Sequence, residues 1–214
     1  MRTLVPFDPT NPNTRLSSLL SDDERRAFAT AMLTDVLTSI RRAGGAPTVL
    51  ATAPLDTDVD APVAVDDRSL SVAVNDALAD ELPAAVVMAD LALATPDALS
   101  RMYDADADVV VAPGRGGGTN ALVVRHPDFG VDYHGTSFLD HLAAADAVGA
   151  SVETVDSFRL AVDVDEPADL LDVLVHGDSA ADQGEATSRA AADWLRNAGF
   201  RVAVADGTPE VVRD

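Results

Sequence analysis

Ala84-Ala-Val-Val-Met-Ala-Asp90 is a run of six apolar residues stopped by a single carboxylate. Such a run describes a strand buried inside a sheet. The surrounding chain alternates apolar runs with helical patterns, which predicts an α/β sheet. Upstream, residues 2–7 form a first strand, and a Pro/Asn-rich loop runs from Asp8 to Leu20. Ser21-Asp-Asp-Glu24 is a capping box, in which each of the two side chains satisfies the other residue's backbone amide. The helix it opens carries Phe28, Met32, Val36, Leu37 and Ile40 on one stripe and stops at Gly44-Gly45. Residues 47–53 form a second strand, and a loop of acids and prolines leads to a helix over 69–82.

Downstream of Asp90 a short helix follows Pro96. Strands over 108–112 and 120–125 flank the tight loop Gly114-Arg-Gly-Gly-Gly118. Residues 136–148 are helical, 152–156 and 160–163 are short strands, and 166–176 is another helix. Residues 178–184 are linker-like, and a helix over 187–198 with a strand over 200–205 closes the chain. The expected organisation is one domain over 1–177, with 178–214 as a helix-strand appendage packed on it.

The 214 residues suffice for a sizeable core, and the 47% hydrophobic content marks a globular chain. No apolar run reaches the roughly 20 residues that span a bilayer. The opening Met1-Arg-Thr-Leu-Val-Pro6 lacks the apolar core of a signal peptide, so a cytoplasmic protein is expected. The absence of cysteine excludes disulfide scaffolds, zinc ribbons, iron–sulfur sites and thiol nucleophiles. Fifteen cations face 36 acids, for a net charge of −21; every cation is arginine, and 30 of the acids are aspartate. Without lysine there is no Walker P-loop and no Schiff base. So negative a field opposes nucleic acid and anionic membranes. Lysine depletion with excess aspartate describes adaptation to molar salt, where a Debye length of ~3 Å screens self-repulsion. The charge is uneven: residues 1–50 carry six arginines and five acids, net +1, which leaves −22 for the rest.

Five Asp-x-Asp pairs occur, and with 30 aspartates the motif is cheap. Those at 56/58, 58/60, 104/106 and 106/108 lie in polar loops. Asp163 and Asp165 instead close Arg159-Leu-Ala-Val-Asp-Val-Asp165, where alternation puts both on one face. Two such carboxylates either bind a cation or end a strand in solvent. Asp90 is a third candidate, because ligands of open α/β sheets bind beyond the carboxyl ends of strands. It reads equally as a cap for the next helix. Together the three would suit one or two Mg²⁺ ions.

The glycines of 114–118 allow backbone amides to approach an anion, or simply make a hairpin turn. Thr119 and Asn120 follow with side-chain donors. His134-Gly-Thr-Ser137 opens a helix and presents amides and a hydroxyl to an anion; an ordinary N-cap explains Ser137 as well. Arg15, in the long loop after the first strand, is a candidate for a triphosphate. Arg25 and Arg26 are expected at the surface, and the four histidines as structural residues.

These blocks together resemble the 2-phospho-L-lactate guanylyltransferase family, which serves synthesis of the deazaflavin coenzyme F-420. The resemblance rests on Val5-Pro-Phe-Asp-Pro-Thr-Asn-Pro-Asn-Thr-Arg-Leu-Ser17 and Leu20-Ser-Asp-Asp-Glu-Arg25. It continues through Val87-Met-Ala-Asp90, Ala112-Pro-Gly-Arg-Gly-Gly-Gly-Thr-Asn-Ala-Leu122 and Tyr133-His-Gly-Thr-Ser-Phe-Leu-Asp-His141. It ends with Phe158-Arg-Leu-Ala-Val-Asp-Val-Asp-Glu-Pro-Ala-Asp-Leu170, and the chain beyond 177 lies outside it.

The resemblance implies a Rossmann-like nucleotidyltransferase fold, a mainly parallel mixed sheet flanked by helices. It implies that Asp90, Asp163 and Asp165 bind Mg²⁺, and that Arg15 acts with them in catalysis. It places the acceptor, a small phosphorylated carboxylic acid, on Gly118, Thr119, Asn120, Gly135 and Ser137. It places GTP against Pro6, Arg15, Thr52, Leu70 and Asn75, and implies a homodimer. Two positions depart: the family's opening carries lysines where this chain has Asp8 and Asn13. The alternatives are the same chemistry on phosphoenolpyruvate or 3-phosphoglycerate, or a non-catalytic nucleotide-binding module. A sugar-phosphate or molybdopterin nucleotidyltransferase is disfavoured, because the Gly-Gly-x-Ser-x-Arg type of first loop is missing.

Overall fold

The computed structural model describes residues 1–177 and 189–214; the predicted linker over 178–184 and the first residues of the last predicted helix lie outside them. Seven strands form one sheet: β1 (Arg2–Phe7), β2 (Ala46–Ala51), β3 (Val63–Val65), β4 (Ala84–Val87), β5 (Val109–Pro113), β6 (Thr119–Val124) and β7 (Val152–Thr154). Their order is β3-β2-β1-β4-β6-β5-β7. Neighbours pair in parallel except at β6, which runs antiparallel to both β4 and β5. That reversal carries the chain from the end of β5 back to the end of β4, so the glycine loop returns to the edge where Asp90 lies.

The helices are α1 (Asp22–Arg42), α2 (Leu70–Asp80), α3 (Pro96–Asp104), α4 (Ser137–Val148), α5 (Phe158–Ala161), α6 (Asp169–His176) and α7 (Ala190–Asn197). They cover both faces of the sheet. Alternation along β1 sends Val5 and Phe7 to one layer and Leu4 to the other. The first layer packs α1, α3, α6 and α7 through Phe28, Met32, Leu99, Leu170 and Leu195; the second packs α2 and α4 through Val74, Leu78 and Ala145. β4 is buried along its whole length, as a central strand covered on both faces must be. The fold is therefore the mainly parallel mixed sheet flanked by helices that was expected.

The Ser21–Glu24 capping box is present with both reciprocal bonds. Other elements correct the sequence reading. Residues 158–161 are a helical turn rather than part of a strand, and 162–165 run extended without a ladder partner. The alternation itself survives: Val162 and Val164 are buried, and Asp163 and Asp165 face outward. The Val164 amide donates to the Asp90 carbonyl at 3.1 Å, which docks the segment on the end of β4. Helix α6 begins at Asp169 rather than residue 166, because the Asp169 carboxylate accepts from the amides of Asp165 (3.1 Å) and Glu166 (2.8 Å). β3 is an unforeseen edge strand with all three residues exposed.

The C-terminal segment is a helix followed by a hairpin, not a helix and one strand. β8 (Phe200–Ala205) pairs antiparallel with β9 (Thr208–Arg213). Asp206 and Gly207 turn between them with φ of 50° and 79°, the positive values a two-residue hairpin loop requires. The segment docks on α1 by three contacts. The Asp35 carboxylate accepts from the amides of Ala190 (2.8 Å) and Ala191 (2.9 Å), so α1 caps α7. Phe28 and Trp194 meet with ring centroids 5.2 Å apart. Arg213 pairs with Glu24, donates to the Leu19 carbonyl at 3.1 Å and lies over the Phe200 ring.

This cap predicts that Asp35→Ala loosens α7 and the hairpin at a cost of about 1–2 kcal/mol. Hydrogen exchange across 190–213 would rise in that variant and much less in Asp35→Asn. Equal protection in Asp35→Ala and wild type would contradict the docking.

Candidate active site

Above the carboxyl ends of β1, β2 and β4 lies a cleft of about 290 Å³. Pro6, Thr52, Leu70 and Asp90 line it, together with Asp8, Asn13 and Arg68. The loop that forms one wall is anchored from several sides. Arg25 is 6% exposed, not a surface residue as expected, and its guanidinium binds the Pro12 carbonyl (3.1 Å) and the Asn11 amide oxygen (2.8 Å). Asn13 holds a left-handed backbone (φ 47°) and donates to the Val164 carbonyl at 2.8 Å. Asp8 accepts from the Thr10 amide (2.9 Å) and the Thr52 hydroxyl (3.0 Å), which ties the loop to the end of β2. The two positions that lack the family's lysines thus hold the loop through hydrogen bonds within the chain.

Asp90 ends the cleft. Its Oδ1 is buried and has no partner among the described residues. Burial, then the neighbouring Asp163 and Asp165 carboxylates, push its pKa up to about 7. Asp165 is also shifted upward, by burial first, against the pull of Arg15. Arg15 pairs with Asp165 and lies 3.8 Å from Glu166. Asp163 accepts from the Asn120 amide at 3.2 Å, and the same amide group holds the Leu160 carbonyl at 2.9 Å. Among the described residues no three acidic or histidine side chains converge as a ready-made ligand set. A magnesium ion needs none: it takes one or two carboxylates, with substrate phosphates and water completing the octahedron. An orphaned carboxylate oxygen beside two further carboxylates fits that donor chemistry.

The glycine loop joins this edge. A side chain at Gly114 would place its Cβ 2.5 Å from the Asn120 amide oxygen, so only glycine leaves Asn120 in place. Arg115 donates through its amide to the Ala161 carbonyl (3.0 Å) and pairs with Asp169 (2.7 Å) and Asp172 (3.0 Å). Thr119, Asn120 and Ser137 are all buried. Ser137 is not an N-cap; its hydroxyl oxygen accepts from the Thr119 amide at 2.9 Å. Gly118 lies against Ser137, and Gly135 turns the chain into α4 with φ of 54°. The predicted acceptor residues thus form one cluster beside the acids. Asn75 stands apart, its amide bonded both ways to the Val131 backbone at 2.8 and 2.9 Å.

Sequence reasoning missed Arg68 and Asp66, an ion pair at the cleft mouth, because two charges in an acidic loop carry no periodic signal. It also passed over the buried His141, which binds Thr119. The spacing of Thr119 and His141, in different elements, gave no cue.

A mixed sheet of this order, with a cleft at its carboxyl edge that ends on Asp90 and a glycine loop at the same edge, is the architecture of nucleotidyltransferases, as likenesses to solved structures show. The fold is shared with a putative nucleotide-diphospho-sugar transferase from Desulfovibrio desulfuricans, at TM-score 0.67 and 16% identity over 92% of this chain and 94% of that one. A nucleotidyl transferase from Methanothermobacter matches at TM-score 0.54 and 15% identity, over 82% and 97% of the two chains. The chain belongs to the guanylyl transferase CofC-like family, whose model matches residues 1–213. The match therefore runs on through the C-terminal segment, past the point where the motif resemblance ended. The 2-phospho-L-lactate guanylyltransferase of Halobacterium salinarum is 57% identical, covering 100% of this chain and 99% of the relative. That of Halomicrobium mukohataei is 56% identical over the whole of both chains. These sources agree with the salt-adapted composition.

The upward shift of Asp90 has a stability consequence. In the folded protein this carboxyl keeps its proton between its ordinary pKa of 3.8 and about 7, so its contribution is full below pH 3.8 and lost as pH rises through about 7. In chelator, Asp90→Asn therefore matches wild type near pH 4 and exceeds its melting temperature at pH 8. Identical melting curves at pH 8 would contradict the buried, unpartnered carboxylate.

Proposed function

We propose that this chain transfers GMP from GTP to 2-phospho-L-lactate and releases pyrophosphate, a step in the synthesis of coenzyme F-420. Support comes from full-length relatives that bear that activity as their name. The observation that carries it is the orphaned Asp90 carboxylate at the end of the cleft, beside Asp163, to which Asn120 of the glycine-loop strand donates. The proposed setting is the cytoplasm of a cell with molar salt. A homodimer belongs to the same reading, since excluded salt strengthens apolar burial.

A phosphate oxygen of phospholactate attacks the α-phosphorus of GTP; that P–O bond forms as the bond to pyrophosphate breaks. The attacking oxygen is already ionised near neutral pH, so no general base is required. The chain's task is therefore to bring two anions together and hold them in line. Asp90, Asp163 and Asp165 would hold Mg²⁺, which when bound neutralises the reacting phosphates. Pro6, Thr52 and Leu70 wall the nucleotide. Arg15 reaches the acids from the first loop, where it pairs with Asp165, and would exchange that partner for the triphosphate. Gly118, Thr119, Gly135 and Ser137 receive the acceptor's phosphate and carboxylate.

Pyrophosphate release is measured in molar KCl with Mg²⁺, GTP and 2-phospho-L-lactate. Asp163→Asn is expected to lower kcat by about 100-fold or more with an unchanged melting temperature. Turnover near wild type would overturn the assignment, and turnover with phosphoenolpyruvate alone would change the acceptor.

A further inference from the structure

His141 is fully buried in α4, between the edge of Tyr133 (5.1 Å between ring centroids) and Phe129 (6.1 Å). Both ring nitrogens are engaged. The backbone amide of Asp132 donates to Nε2 at 3.0 Å, and Nδ1 lies 2.9 Å from the Thr119 hydroxyl oxygen. A backbone N–H can only donate, so Nε2 must present its lone pair. The single proton of the neutral ring is then on Nδ1. Nδ1–H donates, and the Thr119 oxygen accepts.

The consequence falls on Thr119. A threonine hydroxyl can accept or donate, and this contact settles which role its lone pair takes. Its hydrogen is left over. The same logic holds for Ser137, whose oxygen accepts from the Thr119 amide at 2.9 Å. Each of these two buried hydroxyls thus accepts one hydrogen bond from within the protein, and its own hydrogen has no partner among the described residues. A pair wired in this way can offer both hydrogens to an anion.

We propose that His141 is a positioning residue that locks Thr119 into its donor role, so that Thr119 and Ser137 both offer O–H groups to the phosphate and carboxylate of the acceptor. The inference rests on the acceptor reading given above and extends it to a residue one layer behind. Burial supports it: the imidazole pKa is lowered to about 4, so the ring stays neutral and keeps one tautomer at working pH.

Two measurements test it. ¹⁵N NMR of the imidazole should show the Nδ1–H tautomer, unchanged from pH 8 to pH 5; an Nε2–H tautomer overturns the proposal, whatever the substrate. Kinetics follow the acceptor. His141→Phe is expected to raise KM for 2-phospho-L-lactate by about tenfold, with kcat and the KM for GTP changed less than about twofold. His141→Asn, which restores an N–H near the Nδ1 position, should recover part of the loss. In a Thr119→Val background the His141→Phe effect should vanish; an equal tenfold rise there would mean a packing role and would overturn the proposal. If Thr119→Val leaves the acceptor KM unchanged while the Nδ1–H tautomer is found, the failure lies in the acceptor reading and takes the proposal with it. Should His141→Phe not fold, the tautomer measurement on the wild type still decides.

Discussion

A carboxylate oxygen buried without a partner is the constraint around which this molecule is arranged. Burial keeps its carboxyl protonated up to a pH of about 7, and above that pH an unpaired buried charge costs several kcal/mol. Everything near it raises that cost further. The Val164 amide bonds its carbonyl and brings Asp163 and Asp165 alongside. Antiparallel β6 then delivers Asn120 to Asp163 and the glycine loop to the same edge. Such an arrangement of carboxylates suits the cation proposed for it.

The rest of the surface sharpens this point. With a net charge of −21, aspartates elsewhere are the solvated exterior of a salt-adapted protein and carry no chemical message. The nucleotide loop is built differently from that exterior. Its shape comes from Arg25 buried beneath it, from Asn13 in a left-handed conformation and from Asp8 bonded to Thr52. Bonds from the buried Arg25 keep their strength where screening weakens surface ion pairs. A chain without lysine can thus define the loop, with Arg15 beside the acids.

Much of the architecture was legible, because burial writes itself into sequence. The apolar run before Asp90, the capping box at Ser21 and the stripe from Phe28 to Ile40 each carry a period or a cap that physics enforces. The pair Asp163 and Asp165 was read correctly for face and wrongly for element: alternation reports which side chains are buried, and an extended segment without a ladder obeys it too. β3 escaped because its residues are exposed and its pairing is all that defines it. The second strand of the hairpin escaped although Asp206-Gly207 announced a tight turn. Arg25 was misjudged and the contact of His141 missed for a common reason. Their partners, the Pro12 carbonyl and the Thr119 hydroxyl, are brought to them only by the tertiary fold.

The C-terminal segment shows how far the site's support extends. Arg213 reaches the Leu19 carbonyl and Glu24, and Glu24 also closes the capping box that starts α1. The loop, the helix beneath it and the hairpin are one mechanical unit, which agrees with a family match that spans them all. The central claim is that the Asp90 carboxylate awaits a divalent cation. It is tested most directly by titrating Mn²⁺, as a spin-active substitute for Mg²⁺, into metal-stripped protein with a non-hydrolysable GTP analogue. Binding followed by electron paramagnetic resonance should weaken by about tenfold or more in Asp90→Asn relative to wild type. Equal Mn²⁺ affinity in the two proteins would contradict the account.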